Sequence, residues 1–259
     1  MNTAFPERNR ERSGQGAFTL MELVVVLATI GLLAATLLPT FANKAERTKR
    51  AACQNNLRQL AAGMTIYAAN NAGHIIKAKF SAGVSAQIVL DSSEAVAAGT
   101  VGLQVRSNAP AWTCPDRPGL PVYDAGYANW TIGYQYFGGI TTWRNPAGSF
   151  PSCSPTNLTL ARPHWTLAAD AVMKIGGAWG GGGSEFVYQN MPPHHAADSL
   201  IPEGGNQAFV DGSVRWVPFE QMYFLHSWST SSRVAFFYQD PKDFPASLRA
   251  MLPSLRAAP

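Results

Sequence analysis

The residue types that most readily bind metal ions gather near the carboxyl end of the chain. They are His194, His195, Asp198, Glu203 and Asp211. Carboxylates and loop carbonyls suit calcium, but the regular alternation of ligands found in calcium loops is missing, and zinc is the weaker alternative. We therefore predict no bound metal, with Asp198, Glu203 and Asp211 as the calcium candidates. In the competing interpretation, Asp211 is only a turn residue and the histidines lie on a solvated loop.

The sequence contains no pattern typical of an activated nucleophile. Serine, histidine and aspartate are present, yet no Gly-x-Ser-x-Gly elbow occurs and no Cys–His setting can be identified. The glycine tract at 176–183 is not followed by Lys-Ser or Lys-Thr, so it does not match a phosphate-binding loop. We therefore predict that the protein is not an enzyme.

Aromatic residues suggest a second hypothesis, a binding module with a glycan or polymer surface. The tyrosines could line such a surface together with the tryptophans Trp112, Trp130, Trp143, Trp165 and Trp179. In a glycine-rich domain, however, aromatic residues are more often anchors of the core and loops.

The three cysteines are candidates for a disulfide. They are Cys53, Cys114 and Cys153. Export from the cytoplasm would permit a bridge, and three cysteines allow three single pairings with one thiol left over. The absence of any bridge also remains open.

One carboxylate, Glu22, lies at the start of a long apolar run. Residues 23–38 carry no charge, and Pro39 closes this apolar run. Together with the four residues before Glu22, the run provides about 20 mostly apolar positions, which is roughly enough to cross a bilayer as a helix. A carboxylate there costs on the order of 2 to 3 kcal/mol on insertion, so we expect Glu22 to have a partner or a use. A cleaved secretory signal and a plain anchor are the alternatives. The run is preceded by a basic segment that is typical of such a signal and contains Arg8, Arg10 and Arg12.

A helical period continues beyond Pro39. Between residues 42 and 71, apolar residues recur at alternating spacings of four and three, which places them on one stripe of a helix. The stripe consists of Cys53, Leu57, Leu60, Met64 and Tyr67. We predict that it packs on a core and that the helix ends at Asn70-Asn71-Ala72-Gly73, where Gly or Asn can take the left-handed cap conformation. Pro39 is the expected position of a kink.

Four cations follow the apolar run in a chain whose net charge is +4. They are Lys44, Arg47, Lys49 and Arg50. We interpret them as a solvated helical collar at a membrane surface, and we expect no nucleic-acid partner.

The remaining residues have the composition of short strands joined by long loops. The chain contains 23 glycines and 18 prolines, and only 14% of its 259 residues are charged. The clearest element is a hairpin at 207–217, where Asp211-Gly212 between two alternating runs favours a two-residue turn. Phe209 and Val214 would then face each other across the strands.

The segment Ala17-Phe18-Thr19-Leu20-Met21-Glu22-Leu23, with the apolar run that ends at Pro39, resembles the processing segment of type IV pilin-like proteins, including the pseudopilins of type II secretion. The resemblance implies that a prepilin peptidase cuts between Ala17 and Phe18, whose new amino group is methylated. Because the family more often has glycine directly before the cut, cleavage after Gly16 is the alternative. The resemblance also implies that Glu22 pairs with the amino terminus of a neighbouring subunit. The implied assembly residues are Phe18, Glu22 and Pro39.

Further stretches resemble a large pilin-like subgroup with a characteristic carboxy-terminal domain. They lie at 53–60, 67–73, 112–115 and 132–136. The hairpin at Asp211-Gly212 resembles the histidine-to-Asp-Gly signature of that subgroup, although His194 and His195 lie farther upstream than the histidine of the signature. The resemblance favours a disulfide between Cys53 and Cys114, with Cys114 and Cys153 as the second choice.

Together these features predict an α+β fold. A long N-terminal helix, transmembrane in its first half and amphipathic in its second, would pack on an antiparallel β-sheet head, as in pilins. The expected organisation is a leader at 1–17, a transmembrane and polymerisation helix at 18–39, its amphipathic continuation at 40–73, and a periplasmic or extracellular globular head at 74–259.

The resemblance implies a structural subunit that assembles through its N-terminal helix into a type II secretion pseudopilus or a type IV pilus-like filament. It implies a single pass through the cytoplasmic (inner) membrane, with the head outside the cytoplasm. The expected partners are other pilin-like subunits, prepilin peptidase, an inner-membrane assembly platform and membrane lipid. The alternative is a membrane-tethered extracytoplasmic binding protein that uses the prepilin segment only for export.

Overall fold

The structure is a computed structural model that describes residues 19–117, 119–179, 194–195 and 199–257, and for residues 34–43 it describes the backbone only. The predicted processing residues Gly16, Ala17 and Phe18, and the calcium candidate Asp198, lie outside the described residues. The chain divides into two compact units, Met1–Ala42 and Asn43–Pro259.

The first helix, α1, comprises Leu20–Asn70. It begins with a capping box, in which the backbone N–H and the hydroxyl of Thr19 each donate to Glu22 Oε2 at 2.8 Å, and Glu22 N–H donates to Thr19 Oγ1 at 3.2 Å. The backbone remains helical through Pro39. The helix ends where predicted, because Gly73 takes a φ of 82° and its N–H donates to the Ala68 carbonyl at 2.8 Å.

The predicted apolar stripe on the second part of α1 is confirmed. Cys53, Leu57, Leu60 and Met64 are all 0% exposed, and Tyr67 packs against the same cluster while remaining partly exposed. Their spacing keeps these side chains on one face of the helix. In the main hydrophobic cluster, this face packs together with side chains of the central sheet.

Two further helices are α2 at Ser92–Gly99 and α3 at Ala246–Leu255. The strands in the described residues are short. In chain order they are β1 Lys79–Ser81, β2 Val84–Ala86, β3 Val89–Asp91, β4 Val122–Asp124, β5 Asn129–Thr131, β6 Tyr134–Tyr136, β7 Thr142–Asn145, β8 Gly148–Pro151, β9 Thr166–Asp170, β10 Val172–Ile175, β11 Ala178–Trp179, β12 Gly204–Phe209, β13 Val214–Pro218 and β14 Arg233–Phe236. Short 3₁₀ turns occur at Pro110–Trp112, Phe219–Gln221 and Pro241–Asp243.

All strand pairings of these sheets are antiparallel. The smaller sheets have the orders β1-β2, β3-β5-β4, β7-β8 and β11-β10-β14, and the largest has the order β13-β12-β9-β6. In this central sheet Tyr134 pairs with Asp170, and Gln207 pairs with Ala169. Both β9 and β12 are buried along their whole length. The central sheet therefore places Asp170, the last residue of β9, in the interior.

The hairpin between β12 and β13 is connected by the four residues 210–213 rather than by the expected two-residue turn. Ala208 pairs with Val214, so the expected facing pair of Phe209 and Val214 is wrong. The favoured two-residue turn requires a positive φ at both of its central residues. Among the described residues of this loop only Gly212 has one, at 81°.

The predicted fold class is wrong. A single antiparallel sheet is expected from the sequence, whereas the strands described here are divided among five small sheets. The division follows from turns placed only a few residues apart. One example is the turn Gly176-Gly177, where both residues have a positive φ and reverse the chain after the four residues of β10. The molecule is a mixed assembly of helices and small antiparallel sheets.

The predicted transmembrane half of the helix is also wrong. Within the described part of the chain, no helix has the length and apolar character needed to cross a membrane. The same finding overturns the prediction of a single pass through the inner membrane with the head outside.

Candidate metal centre

Four side chains of metal-binding type meet inside the second unit. Cys53 lies on α1, Cys114 follows the turn at Pro110–Trp112, Asp170 ends β9, and His194 precedes β12. One candidate ligand atom from each lies within 4.8 Å of all the others. Each of the four residues is at most 3% exposed. The fold therefore gathers two thiols, an imidazole and a carboxylate from four separate segments.

The position of Cys114 depends on a close approach of Gly133. The N–H of Gly133 donates to the Trp112 carbonyl at 2.9 Å. A Cβ at Gly133 would lie 2.8 Å from Cys114 N, so a larger residue would push this backbone away. Glycine at this position thus allows the segment that carries Cys114 to reach the stripe of α1.

The two sulfur atoms are in direct contact. Cys53 Sγ and Cys114 Sγ lie 2.8 Å apart, and both residues are free cysteines. The hydrogen bond with Cys114, together with burial, raises the pKa of Cys53 above its ordinary value. Burial opposes ionisation of Cys114 as well, but its contact with Cys53 and the nearby imidazole of His194 hold its pKa below its ordinary value. Cys114 is therefore the thiol that loses its proton more readily.

The two ring nitrogens of His194 face different groups. Its Nδ1 lies 2.7 Å from Glu46 Oε1 and 2.5 Å from Asp116 Oδ2, while its Nε2 lies 3.2 Å from Asp170 Oδ2. Burial disfavours the charged imidazolium, but the charge of Asp170 and the hydrogen bond with Asp116 outweigh it and raise the pKa of His194 above its ordinary value. Nδ1 thus contacts the carboxylates of Glu46 and Asp116, and Nε2 faces the other members of the four-residue cluster.

Two basic residues of α1 hold these carboxylates in place. Lys49 Nζ lies 2.8 Å from Asp116 Oδ1, and Arg50 Nε lies 3.1 Å from Glu46 Oε1. The guanidinium of Arg50 also lies 4.2 Å from the centre of the Trp216 ring. Part of the predicted solvated collar therefore pairs with the acidic groups around His194, whereas Lys44 and Arg47 are exposed.

Asp170 is fixed by the neighbouring strand. Its Oδ2 accepts the backbone N–H of Asn206 at 2.6 Å and the side-chain amide of Asn206 at 3.0 Å. That amide also donates to the Arg50 carbonyl at 3.0 Å, which links β12 to α1. The second oxygen, Oδ1, is buried and has no hydrogen-bond partner among the described residues.

His194 Nε2 is likewise buried without a hydrogen-bond partner among the residues described, because its approach to Asp170 lacks hydrogen-bond geometry. A cavity of about 10 Å³ lies at this point, and its lining includes Cys114, Arg117, Asp170 and His194. Arg117 is 3% exposed and donates to the Ala171 carbonyl. Burial lowers the pKa of Arg117 from its ordinary value. The site therefore combines unpaired polar atoms with a void of atomic size.

The calcium candidates in the described part of the chain do not meet. Glu203 Oε2 lies 2.6 Å from Arg50 Nη2, and Asp211 lies in the exposed hairpin loop, where its Oδ1 accepts the Ser213 N–H at 2.9 Å. Neither belongs to a group of three or more candidate ligands in the described residues. His195 pairs through its backbone with Pro202. The interpretation that both histidines lie on a solvated loop is wrong for His194, which is 2% exposed.

The third cysteine is not a member of the cluster. Cys153 Sγ contacts the Asp243 carbonyl at 3.7 Å. The structure thus brings Cys53 to Cys114, the pairing that the resemblance favours, while leaving both as free thiols. The predicted disulfide remains a prediction.

Sequence reasoning missed Asp116, Asp170 and Glu46 as members of a site. The closest local signal is Cys114-Pro115-Asp116, which places a thiol and a carboxylate two residues apart. The remaining members come from distant segments and have no regular spacing, so they match no Cys-x-x-Cys zinc pattern.

A second notable surface belongs to the first unit. Large apolar residues at the start of α1 are each 45–82% exposed. They are Leu20, Met21, Leu23, Val24, Val25, Val26, Leu27, Ile30, Leu32 and Leu33. Because five consecutive members, from Leu23 to Leu27, span more than one turn, they cover every side of the helix.

Comparison of the chain with protein-family models, with curated proteins and with solved structures finds no match.

Proposed function

We propose that the protein is a pilin-like structural subunit, trimmed by a prepilin peptidase and assembled through its N-terminal helix into a type II secretion pseudopilus or a type IV pilus-like filament. One observation carries the proposal. The start of α1, from Leu20 to Leu33, exposes apolar side chains on all sides. A helix of this kind requires cover on every side, and a single neighbour cannot provide it.

The free energy available from covering this helix is large. Full burial of one Val, Leu, Ile or Met side chain is worth about 1.5–3 kcal/mol. Equivalent helices of other subunits are apolar in the same way, and a bundle of them would bury all sides at once. We therefore take further copies of α1 as the partners of this surface.

Glu22 gives the assembly a specific contact. It is the one charged residue between Thr19 and Leu33, and in the free chain its carboxylate completes the capping box with Thr19. Inside a bundle, a carboxylate without a cation would be costly to bury. Cleavage before Phe18 would create a terminal amine, and the amine of a neighbouring subunit would neutralise Glu22.

The experiment begins with intact mass and amino-terminal sequencing of the protein produced together with a prepilin peptidase. A chain that begins with N-methylated Phe18 is expected. Filaments are then sheared, sedimented and counted by electron microscopy for the natural protein, Glu22→Gln and Thr19→Ala. Glu22→Gln should lower the filament yield at least about tenfold, which corresponds to about 1.4 kcal/mol for one contact.

Thr19→Ala is the matched control. It removes the hydroxyl from the capping box but keeps the carboxylate charge, so the filament yield should stay near that of the natural protein. If Glu22 serves only as a helix cap, the result would be reversed, because glutamine also serves in a capping box whereas alanine loses the hydroxyl. That reversal, or a mature chain that begins near Asn43, would refute the proposal.

The binding-module alternative has weaker support. It requires an exposed aromatic surface. Tyr123 and Tyr127 are 47% and 72% exposed, but no tryptophan is exposed in the described part of the chain. Trp112 and Trp143 are each 0% exposed, and Trp179 is 9% exposed. These side chains serve as core anchors instead.

A further inference from the structure

We propose that Cys53, Cys114, Asp170 and His194 bind a single structural zinc ion. Structural zinc sites are almost always four-coordinate, and their ligands are thiolates, imidazole nitrogens and carboxylate oxygens. The cluster offers these types and no others: two sulfurs, one ring nitrogen and one carboxylate. Two sulfur ligands also exclude calcium and magnesium, which prefer oxygen.

The dimensions of the cluster suit one small ion. The four candidate ligand atoms lie within 4.8 Å of one another, around a cavity of about 10 Å³ lined by three of the residues. With zinc–sulfur bonds of about 2.3 Å in a tetrahedron, two sulfurs lie about 3.8 Å apart. The sulfurs of Cys53 and Cys114, now 2.8 Å apart, would separate by about 1 Å to admit the ion.

Two unpaired atoms point independently to a ligand. Asp170 Oδ1 and His194 Nε2 are buried and lack hydrogen-bond partners in the described part of the chain. Buried polar atoms are rarely left in this state. A metal ion between them would satisfy both atoms and the two thiolates at the same time.

The surroundings resemble the outer shell of a zinc site. A zinc-binding histidine usually directs its other nitrogen to a carboxylate, which fixes the ring orientation. His194 Nδ1 has two such carboxylates, Glu46 at 2.7 Å and Asp116 at 2.5 Å. Lys49 holds Asp116 from the opposite side. Arg117 lines the same cavity, and its charge would balance the single negative charge left when two thiolates and Asp170 bind Zn²⁺.

Two simpler explanations each account for half of the cluster. A buried imidazolium would explain the carboxylates around His194 but not the two thiols beside it. A disulfide between Cys53 and Cys114 would explain the thiols but leave Asp170 Oδ1 and His194 Nε2 unpaired. A zinc ion accounts for all four residues, and it would tie α1, the Cys114 loop, β9 and the His194 segment together.

The test uses the full chain, purified in detergent without oxygen or added reductant, supplied with zinc and then dialysed. Elemental analysis should find about one zinc per chain. Replacement by cobalt(II) should give the intense visible bands of a tetrahedral site and a near-ultraviolet band of thiolate-to-cobalt charge transfer. Neither measurement depends on a variant that might misfold.

Variants then assign the ligands. Cys53→Ser and Cys114→Ser should each weaken zinc binding at least about a hundredfold, and Asp116→Asn, a change in the outer shell, about ten- to a hundredfold. Cys153→Ser, which alters a buried cysteine outside the cluster, should retain the zinc and the cobalt spectrum. This matched control separates loss of a ligand from loss of a buried thiol.

Two results would overturn the proposal. The first is a zinc-free protein whose mass is lower by two hydrogens and whose peptides join Cys53 to Cys114, which would establish a disulfide. The second is unchanged zinc binding and an unchanged cobalt spectrum in Cys53→Ser and Cys114→Ser.

Discussion

Cys53 and Cys114 are separated by 61 positions in the chain, yet their sulfur atoms lie 2.8 Å apart. The contact joins the buried stripe of α1 to the loop that precedes β4. Because the same two thiols can close a bridge or bind a metal, the redox state of this pair decides which stabilising link forms. A disulfide around a loop of this length would be worth about 4 kcal/mol by the chain-entropy estimate. A structural zinc ion would link two further segments in addition.

His226 should make the stability of the fold depend on pH. Its Nδ1 accepts the Arg144 N–H at 3.0 Å and its Nε2 faces the Ser85 carbonyl at 2.9 Å, an arrangement that requires the neutral ring. Burial lowers the pKa of His226 from 6.5 to about 4. Since the unfolded chain binds this proton more readily, the contribution is fully present above pH 6.5 and is lost as the pH falls towards 4. It amounts to about 3 kcal/mol.

The measurement is urea unfolding at about pH 7.5 and about pH 4.5 for the natural protein and His226→Gln. Glutamine can donate and accept hydrogen bonds but does not titrate in this range. The natural protein should lose about 2 to 3 kcal/mol more than the variant between the two pH values. Equal losses would show that His226 does not carry this pH dependence.

Gly212 should tolerate alanine poorly because of the backbone conformation that the β12–β13 loop requires of it. Its φ is 81°, and no atom outside its chain neighbours lies within 4 Å of a Cβ built there, so backbone conformation alone opposes substitution. Gly212→Ala should lower the free energy of unfolding by about 1 kcal/mol, and Gly212→Asn by less, because asparagine enters the left-handed region more readily.

Gly99 provides the control for this substitution. It lies in α2, where the nearest atom to an added methyl group would be Gln104 Cγ at 3.9 Å. Gly99→Ala should be neutral or stabilising by up to about 1 kcal/mol, because alanine favours the helix. Chemical denaturation of the three variants gives the comparison, and equal costs at both positions would contradict the conformational explanation.

Truncation should cost far more stability at Met64 than at Ile66, although both residues lie on the same helix. Met64 is 0% exposed and its sulfur accepts the Tyr136 hydroxyl at 3.2 Å, whereas Ile66 is 53% exposed. Met64→Ala should lower the free energy of unfolding by about 2 to 5 kcal/mol. Ile66→Ala should change it by about 0.5 kcal/mol or less. Thermal or urea unfolding checks the pair, and similar losses would mean that this face of α1 is not buried.

Features that repeat along the chain were predictable. The stripe from Cys53 to Tyr67 follows from helical spacing. The end of the helix follows from the segment 70–73, where Asn and Gly readily take the left-handed cap conformation. The hairpin was predictable only in part, because its loop length depends on whether Asp211 as well as Gly212 adopts a positive φ. Local propensity favours the turn, but it does not choose among registers that differ by one residue.

The cluster around His194 could not be found in the same way. Its residues come from α1, a loop, the end of β9 and a further segment, and no fixed spacing connects them. A loose group of acidic residues near the carboxyl end was the more visible pattern, yet Glu203 and Asp211 do not meet there in the described residues. Ligand geometry depends on how distant segments pack, whereas spacing reports only on residues within one element.

By itself, the sequence determined the helical period of α1, the cap at its end, the apolar character of its start and the position of the last hairpin. These properties depend on neighbours within a few residues, where backbone sterics and side-chain periodicity act. Tertiary structure alone decided that the strands divide into small sheets, that His194 is buried, and that Asp170 meets two thiols. Those outcomes depend on long-range packing, in which burial changes the free energy of a polar group only after the whole core has formed.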